Sequence, residues 1–188
     1  MYKLDDLLRR AGGLPRGATV VELGCWPGGW LQRLAESVGA SGRVVGVDLQ
    51  PFEPLGEPVI PLVLDLTEPD SLERIVAALG RPAHAVLSDA APKLTGIADV
   101  DRAAGAELCQ AALAVARRVL RPKGFLIVKD FPGPESREFG LELKRAFARV
   151  SEIRPEGRRA TTKEFYWLAQ QMREPASGSV GGHAQGPQ

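Results

Sequence analysis

The chain has 188 residues, 44% hydrophobic and 25% charged, with 24 Lys plus Arg against 23 Asp plus Glu. That length and balance suit one domain with a full core, and a net charge of +1 signals no bulk affinity for nucleic acid. There is no run of 18 apolar residues to span a bilayer, MYKLDDLLRR lacks a signal peptide's apolar centre, and two cysteines and two histidines show no metal-ligand spacing.

A cytoplasmic protein without membrane contact or metal is therefore expected, with Cys25 and Cys109 as reduced thiols. In chain order, YKLDDLL opens a short amphipathic helix with Leu4, Leu7 and Leu8 on one face. Strand-like runs follow at TVVEL (19–23), RVVGVDL (43–49), VIPLVLDL (59–66), HAVLSD (84–89) and FLIVKD (125–130). These five are nearly continuous in apolar residues, as strands covered on both faces are. Helical stripes lie between and after them. Leu31, Leu34, Ala35 and Val38 make one, Leu72, Ile75, Val76 and Leu79 another. Leu108, Ala111, Ala112, Val115 and Val119 make a third, ended by Pro122, Lys123 and Gly124, and Leu141, Leu143, Phe147 and Val150 suggest a fourth. Alternating strands and helices predict a mostly parallel sheet with helices on both faces. The last two runs, VSEIRP (150–155) and EFYWLA (164–169), are too close for a crossover helix. They should pair as a hairpin and place an antiparallel strand in the sheet. Residues 1–172 are expected to form the one domain and 173–188, with almost nothing apolar to bury, a disordered tail.

Chemistry gathers at the strand ends, where open α/β sheets bind ligands. The turn after the first strand, LGCWPGGW, reads G-x-x-x-G-G rather than the G-x-G-x-x-G of a dinucleotide site. Asp48 ends the second strand, where an acid can accept from ribose hydroxyls, and Asp65 ends the third, within reach of an adenine amino group. Glu22, Gly24, Gly28, Asp48 and Asp65 thus outline a nucleoside site without a diphosphate, which S-adenosylmethionine fits. Asp89 closes the fourth strand. Lys129 closes the fifth, a costly place for an ammonium unless it is paired or faces a cleft. Glu164 opens the last strand and, if that strand is antiparallel, faces the same edge. Topology alone does not place Lys3.

The string YKLDDLL, VVELGCWPGGW, GVDLQP, LDLTE, SDAAPK, LIVKDFPG and RRATTKEFYWLA resembles the FtsJ/RrmJ family of S-adenosylmethionine-dependent RNA 2'-O-ribose methyltransferases, over about residues 2 to 169. The resemblance implies a seven-stranded Rossmann-like methyltransferase sheet with an antiparallel last strand. It puts Lys3, Asp89, Lys129 and Glu164 on the family's K-D-K-E tetrad, and Gly28, Trp30, Asp48, Asp65 and Asp89, beside Gly24, on its cofactor-contacting positions. The tetrad suits the chemistry. A ribose hydroxyl must lose its proton as it attacks a sulfonium methyl in line. Lys129 would accept that proton or steady the alkoxide, Asp89 would orient Lys129, and Lys3 and Glu164 would position the ribose. The net sign of the shift in the Lys129 pKa stays open at this level. Arg154, Arg158, Arg159 and Lys163, on the hairpin that delivers Glu164, then read as RNA phosphate contacts. The cluster at Arg117, Arg118, Arg121 and Lys123 reads as surface.

The chain departs from the family pattern at three places. Relatives carry a basic segment before the first tetrad lysine, whereas Lys3 here follows Met1 by two residues, so weaker RNA docking or a truncated start is expected. Cys25 and Trp26 stand where small residues are usual, and Lys93 replaces an amide. The expected function is methylation of large-subunit ribosomal RNA by a monomer. Transfer RNA is the alternative substrate, and a non-catalytic RNA- or partner-binding module of the same fold is the alternative class. The missing G-x-G-x-x-G counts against a nucleotide-dependent oxidoreductase.

Overall fold

The structure is a computed structural model that describes residues 2–52, 55–154 and 164–173. Arg158, Arg159, Lys163 and the expected tail beyond residue 173 lie outside the described residues. The elements run α1 (Tyr2–Ala11), β1 (Thr19–Leu23), α2 (Gly29–Val38), β2 (Arg43–Asp48), β3 (Val59–Val63), α3 (Ser71–Leu79) and β4 (Ala83–Ser88). They continue with α4 (Ala98–Val119), β5 (Leu120–Asp130), α5 (Pro134–Ala146), β6 (Phe147–Ile153) and β7 (Phe165–Met172).

One seven-stranded sheet has the order β3-β2-β1-β4-β5-β7-β6. The five strands from β3 to β5 pair in parallel, and β7 pairs antiparallel with both β5 and β6. The sequence expectation of a parallel sheet with an antiparallel last strand holds. Strand alternation divides the core. Val20, Val44, Ala85 and Ile127 face α1 and α2, where Leu4, Leu7, Leu31 and Leu34 complete one cluster. Val21, Val45, Val86 and Val128 face α3, α4 and α5, with Ile75, Ala112, Leu113, Phe139 and Leu143. Leu4 and Leu7 are fully buried, and each contributes roughly 1.5–3 kcal/mol by leaving water. That burial fixes α1, and with it Lys3, against the sheet.

Three local expectations need correction. The third strand is an edge strand with half-buried residues, and it stops at Val63, so Asp65 lies just beyond it. Leu141 is 54% exposed. The buried residues of α5 include Phe139 and Leu143, while Phe147 and Val150 belong to β6. Pro122 to Gly124 lie inside the assigned β5, in an irregular stretch where Ala83 pairs with Leu120 but Ala85 with Phe125.

At the edge opposite the carboxyl ends, the Thr19 N–H donates to His84 Nδ1 at 3.1 Å, and Arg81 Nε donates to Thr19 Oγ1 at 2.6 Å. Nδ1 can accept only when it carries no proton. Partial burial, Arg121 and Arg81 push the His84 pKa below its ordinary 6.5. A depressed histidine stabilises the fold above its unfolded pKa, and that stability is lost as pH falls through the folded value. Wild type should therefore lose melting temperature below pH 6.5. His84→Asn, whose amide oxygen can accept the same N–H, should lack that part of the fall in a melting series from pH 8 to 5.

Candidate active site

The carboxyl edge of the sheet collects the polar residues because each apolar run ends there. β1 leads into Gly24, which has φ +74°. A methyl on Gly24 would lie 2.4 Å from Ala90 Cα and 2.6 Å from Ala90 N, so the turn runs hard against the backbone after β4. Gly28 precedes α2 at φ +101° with open space where a side chain would start. The Trp26 N–H donates to Asp48 Oδ2 at 2.8 Å, and the Gln50 N–H to Asp48 Oδ1 at 2.9 Å. Asp48 thus ties the glycine turn to the end of β2. Asp65 Oδ1 accepts from the Thr67 N–H at 2.9 Å and from its hydroxyl at 2.7 Å, which holds its carboxyl below the usual range.

These residues wall a cavity of about 490 Å³ that includes Gly24, Trp26, Asp48, Asp65, Asp89 and Lys93. That size suits a small organic ligand. The turn's two unusual residues divide between the two sides of the chain. Cys25 is buried in the α1/α2 cluster beside Gly46, and Trp26, 58% exposed, lines the cavity.

Glu22 is buried in β1, between β2, which ends in Asp48, and β4, which Asp89 follows directly rather than closing. Its Oε2 accepts no hydrogen bond among the described residues. Burial, reinforced by the charges of Asp89 and Asp48, pushes its carboxyl well above the ordinary 4.5. The folded state therefore holds a proton that the unfolded chain releases, and stability falls as pH rises from 4.5 towards the folded value. Glu22→Gln removes that titration. The variant should match wild type near pH 4 and exceed its unfolding free energy at pH 8 by about 1–3 kcal/mol, the cost of a buried group without a partner. Urea melts at the two pH values check this, and a gap that does not grow with pH would count against a raised Glu22.

The tetrad converges. Lys3 Nζ stands 3.3 Å from Asp89 Oδ2 and 3.7 Å from Glu164 Oε1. Lys129 Nζ lies 3.2 Å from Asp89 Oδ1 and donates to the Asp89 carbonyl oxygen at 2.5 Å. Asp89 is thus held between two ammonium groups. Its Oδ1 also accepts from the Tyr166 hydroxyl, a contact not anticipated from the sequence. Register explains that contact: Lys129 pairs with Tyr166 across β5 and β7, so both side chains stand on the α1/α2 face. Lys3 also lies over two rings, 5.4 Å from the Trp30 centroid and 5.2 Å from that of Tyr166. The last strand begins at Phe165, so Glu164 sits one residue before it rather than opening it. Arg154, the described member of the expected RNA cluster, is exposed just after β6, 6.0 Å from the Phe165 ring.

The strand order, with β7 antiparallel between β5 and β6, is a Rossmann-like arrangement with a polar cluster at its carboxyl edge. The chain belongs to the FtsJ-like methyltransferase family, whose model matches residues 1–172. It is 43% identical over 171 residues to Ribosomal RNA large subunit methyltransferase E of Methanothrix thermoacetophila, covering 91% of this chain and 66% of that protein. To the protein of the same name from an Anaeromyxobacter species it is 41% identical over 177 residues, covering 94% of this chain and 64% of that one. It thus spans slightly under two thirds of the length of these relatives. In fold it is similar to a Plasmodium falciparum protein described as a ribosomal RNA methyltransferase, at TM-score 0.78 and 21% identity over 91% of this chain and 95% of that one.

Proposed function

We propose that this protein transfers a methyl group from S-adenosylmethionine to a ribose 2'-hydroxyl of large-subunit ribosomal RNA. One observation carries the reading: Asp89, between Lys3 and Lys129 and touching Tyr166, closes one end of the cavity that Asp48 and Asp65 also line. The names of the relatives support the ribosomal substrate.

The residues fit the cofactor. The glycine turn, bare at Gly28, leaves room for it. Asp48 and Asp65 can accept from ribose hydroxyls and an adenine amino group, and the Glu22 carboxyl just before the turn has an oxygen left for a donor. When bound, S-adenosylmethionine supplies an electrophilic methyl on a sulfonium. The chain's own residues do the rest. Lys129 and Lys3 flank the attacking oxygen and stabilise the negative charge that develops as its proton leaves. Lys129, as the neutral amine, is the group placed to take that proton, and Asp89 then holds the resulting ammonium through its carboxylate and its carbonyl. The Tyr166 hydroxyl and Lys3 steady Asp89, and Glu164 holds Lys3. Arg154 and Lys93 offer positive charge to phosphates at the rim.

The experiment is incubation with labelled S-adenosylmethionine and either purified large ribosomal subunits, their protein-free RNA or transfer RNA, followed by nucleoside mass mapping. A single 2'-O-methyl nucleoside in the ribosomal sample is expected. Methyl on a base, or on transfer RNA alone, would overturn the reading.

A further inference from the structure

A second hollow opens beside the tetrad on the α4 and α5 side. It measures about 200 Å³, and its walls include Pro92, Leu94, Arg102, Gly105, Asp130 and Phe131. Drug-sized ligands need about 300–1,000 Å³, so this hollow suits a smaller, flat fragment. Pro92 lines both it and the larger cavity, and Asp130 follows Lys129 directly.

Its walls are fixed in place. Asp130 Oδ1 accepts the Phe131 N–H at 2.7 Å, and Asp130 Oδ2 accepts from Trp167 Nε1 at 2.8 Å, which anchors the Phe131 turn to β7. Across the hollow, Asp101 Oδ1 accepts the Thr95 N–H and hydroxyl, both at 2.7 Å, and Asp101 Oδ2 accepts the Gly96 N–H at 3.2 Å, holding the loop that carries Leu94. Arg102 pairs with Asp99 and, at 3.5 Å, with Glu135, joining α4 to α5. Leu94 is nonetheless 76% exposed and Phe131 43%. Two large apolar side chains are thus held out at the rim by the hydrogen bonds of the turns that carry them, with a guanidinium and carboxylates beside them.

We infer that this hollow receives a nucleobase of the RNA strand whose ribose reaches the tetrad, with the base stacked on Phe131. The inference rests on the methyltransferase reading of that tetrad. A base has an apolar face for Phe131 and Leu94, and an edge of donors and acceptors for Arg102 and the carboxylates. Its sugar lies one glycosidic bond away, and Lys129 is two residues from Phe131. A single-stranded nucleotide delivered to Lys129 and Asp89 must put its base somewhere, and the hollow adjoins, at Pro92, the cavity that Asp89 lines.

The test is photo-crosslinking of the whole protein, with S-adenosylhomocysteine bound, to large-subunit ribosomal RNA. One RNA preparation carries 4-thiouridine and a second 6-thioguanosine, and adducts are mapped by mass spectrometry. Adducts on residues 92–105 or 131–136 are expected. Adducts confined to other segments, or none, would overturn the inference. Methyl transfer to unmodified RNA is measured separately. Adducts in the hollow without any transfer would sink the proposed activity and leave the base site standing. With active protein, Phe131→Ala should lower kcat/KM for RNA roughly 10- to 100-fold, the range for loss of one stacked base. Phe131→Trp should stay within a few-fold of wild type. Affinity for S-adenosylhomocysteine should be unchanged in both. A parallel fall in that affinity, or failure of Phe131→Trp to retain activity, would assign Phe131 a structural role instead.

Discussion

Replacing Lys129 by alanine should lower kcat about a thousandfold, roughly 4 kcal/mol of transition-state stabilisation, with cofactor affinity within about twofold of wild type. The separation follows from placement. Lys129 touches Asp89 on the α1/α2 face, and it is not among the residues lining the Asp48–Asp65 cavity. The fold should survive, because Asp89 keeps Lys3 and Tyr166 as partners. Lys129→Arg should remain within about tenfold of the alanine variant. A guanidinium cannot accept a proton at working pH, and its planar fork does not match a slot shaped by one carbonyl and one carboxylate oxygen. Single-turnover rates with saturating cofactor, beside calorimetric binding, check both statements. Near-normal turnover by either variant would remove Lys129 from the chemistry.

The second large effect is expected at Gly24. Alanine there must adopt φ +74° and also press its methyl to 2.4 Å from the Ala90 backbone. Left-handed backbone costs about 1–2 kcal/mol and overpacking about 1–3, so Gly24→Ala should lose roughly 2–5 kcal/mol. In a chain of this size that is roughly 4–20 °C of melting temperature. The neighbour cannot give way cheaply, because it is main chain. Gly28→Ala is the comparison. It carries the positive φ but meets nothing within 4 Å, so its stability loss should be about 1–2 kcal/mol. Under the proposed placement of the cofactor over this bare position, its main effect should be on cofactor affinity. Equal melting temperatures for the two variants would contradict the close approach of the turn to Ala90.

Asp48, Asp89 and Lys129 were legible in the sequence because an apolar strand that stops abruptly at a charge marks the sheet's edge. The hairpin of β6 and β7 was legible because too few residues separate its strands to form a crossover. What failed depended on partners distant in the chain. Tyr166 reads as one more apolar strand residue in FYWLA, and its hydroxyl finds Asp89 77 positions away. Lys3 needed the family resemblance, since no periodicity says against which strands α1 packs. Leu141 fits a helical stripe, yet the face that meets the sheet is set by Phe139 and Leu143. Cys25 and Trp26 were opaque together because adjacent residues in a turn point to opposite sides, and only the packing of α2 over Gly46 says which goes inward.

The insertion of β7 between β5 and β6 also bears on how the protein is made on the ribosome. The strands that hold Asp48, Asp65 and Asp89 emerge early, and the cavity they line needs nothing beyond α4. Glu164 and Tyr166 come near the end of the described chain, and β6 has no neighbour in the sheet until β7 arrives between it and β5. A growing chain thus completes that cavity before it completes the Lys3, Asp89, Tyr166 and Glu164 cluster. The cluster is therefore closed by β7, the last of the described strands, when the Tyr166 hydroxyl reaches the aspartate that Lys3 also holds.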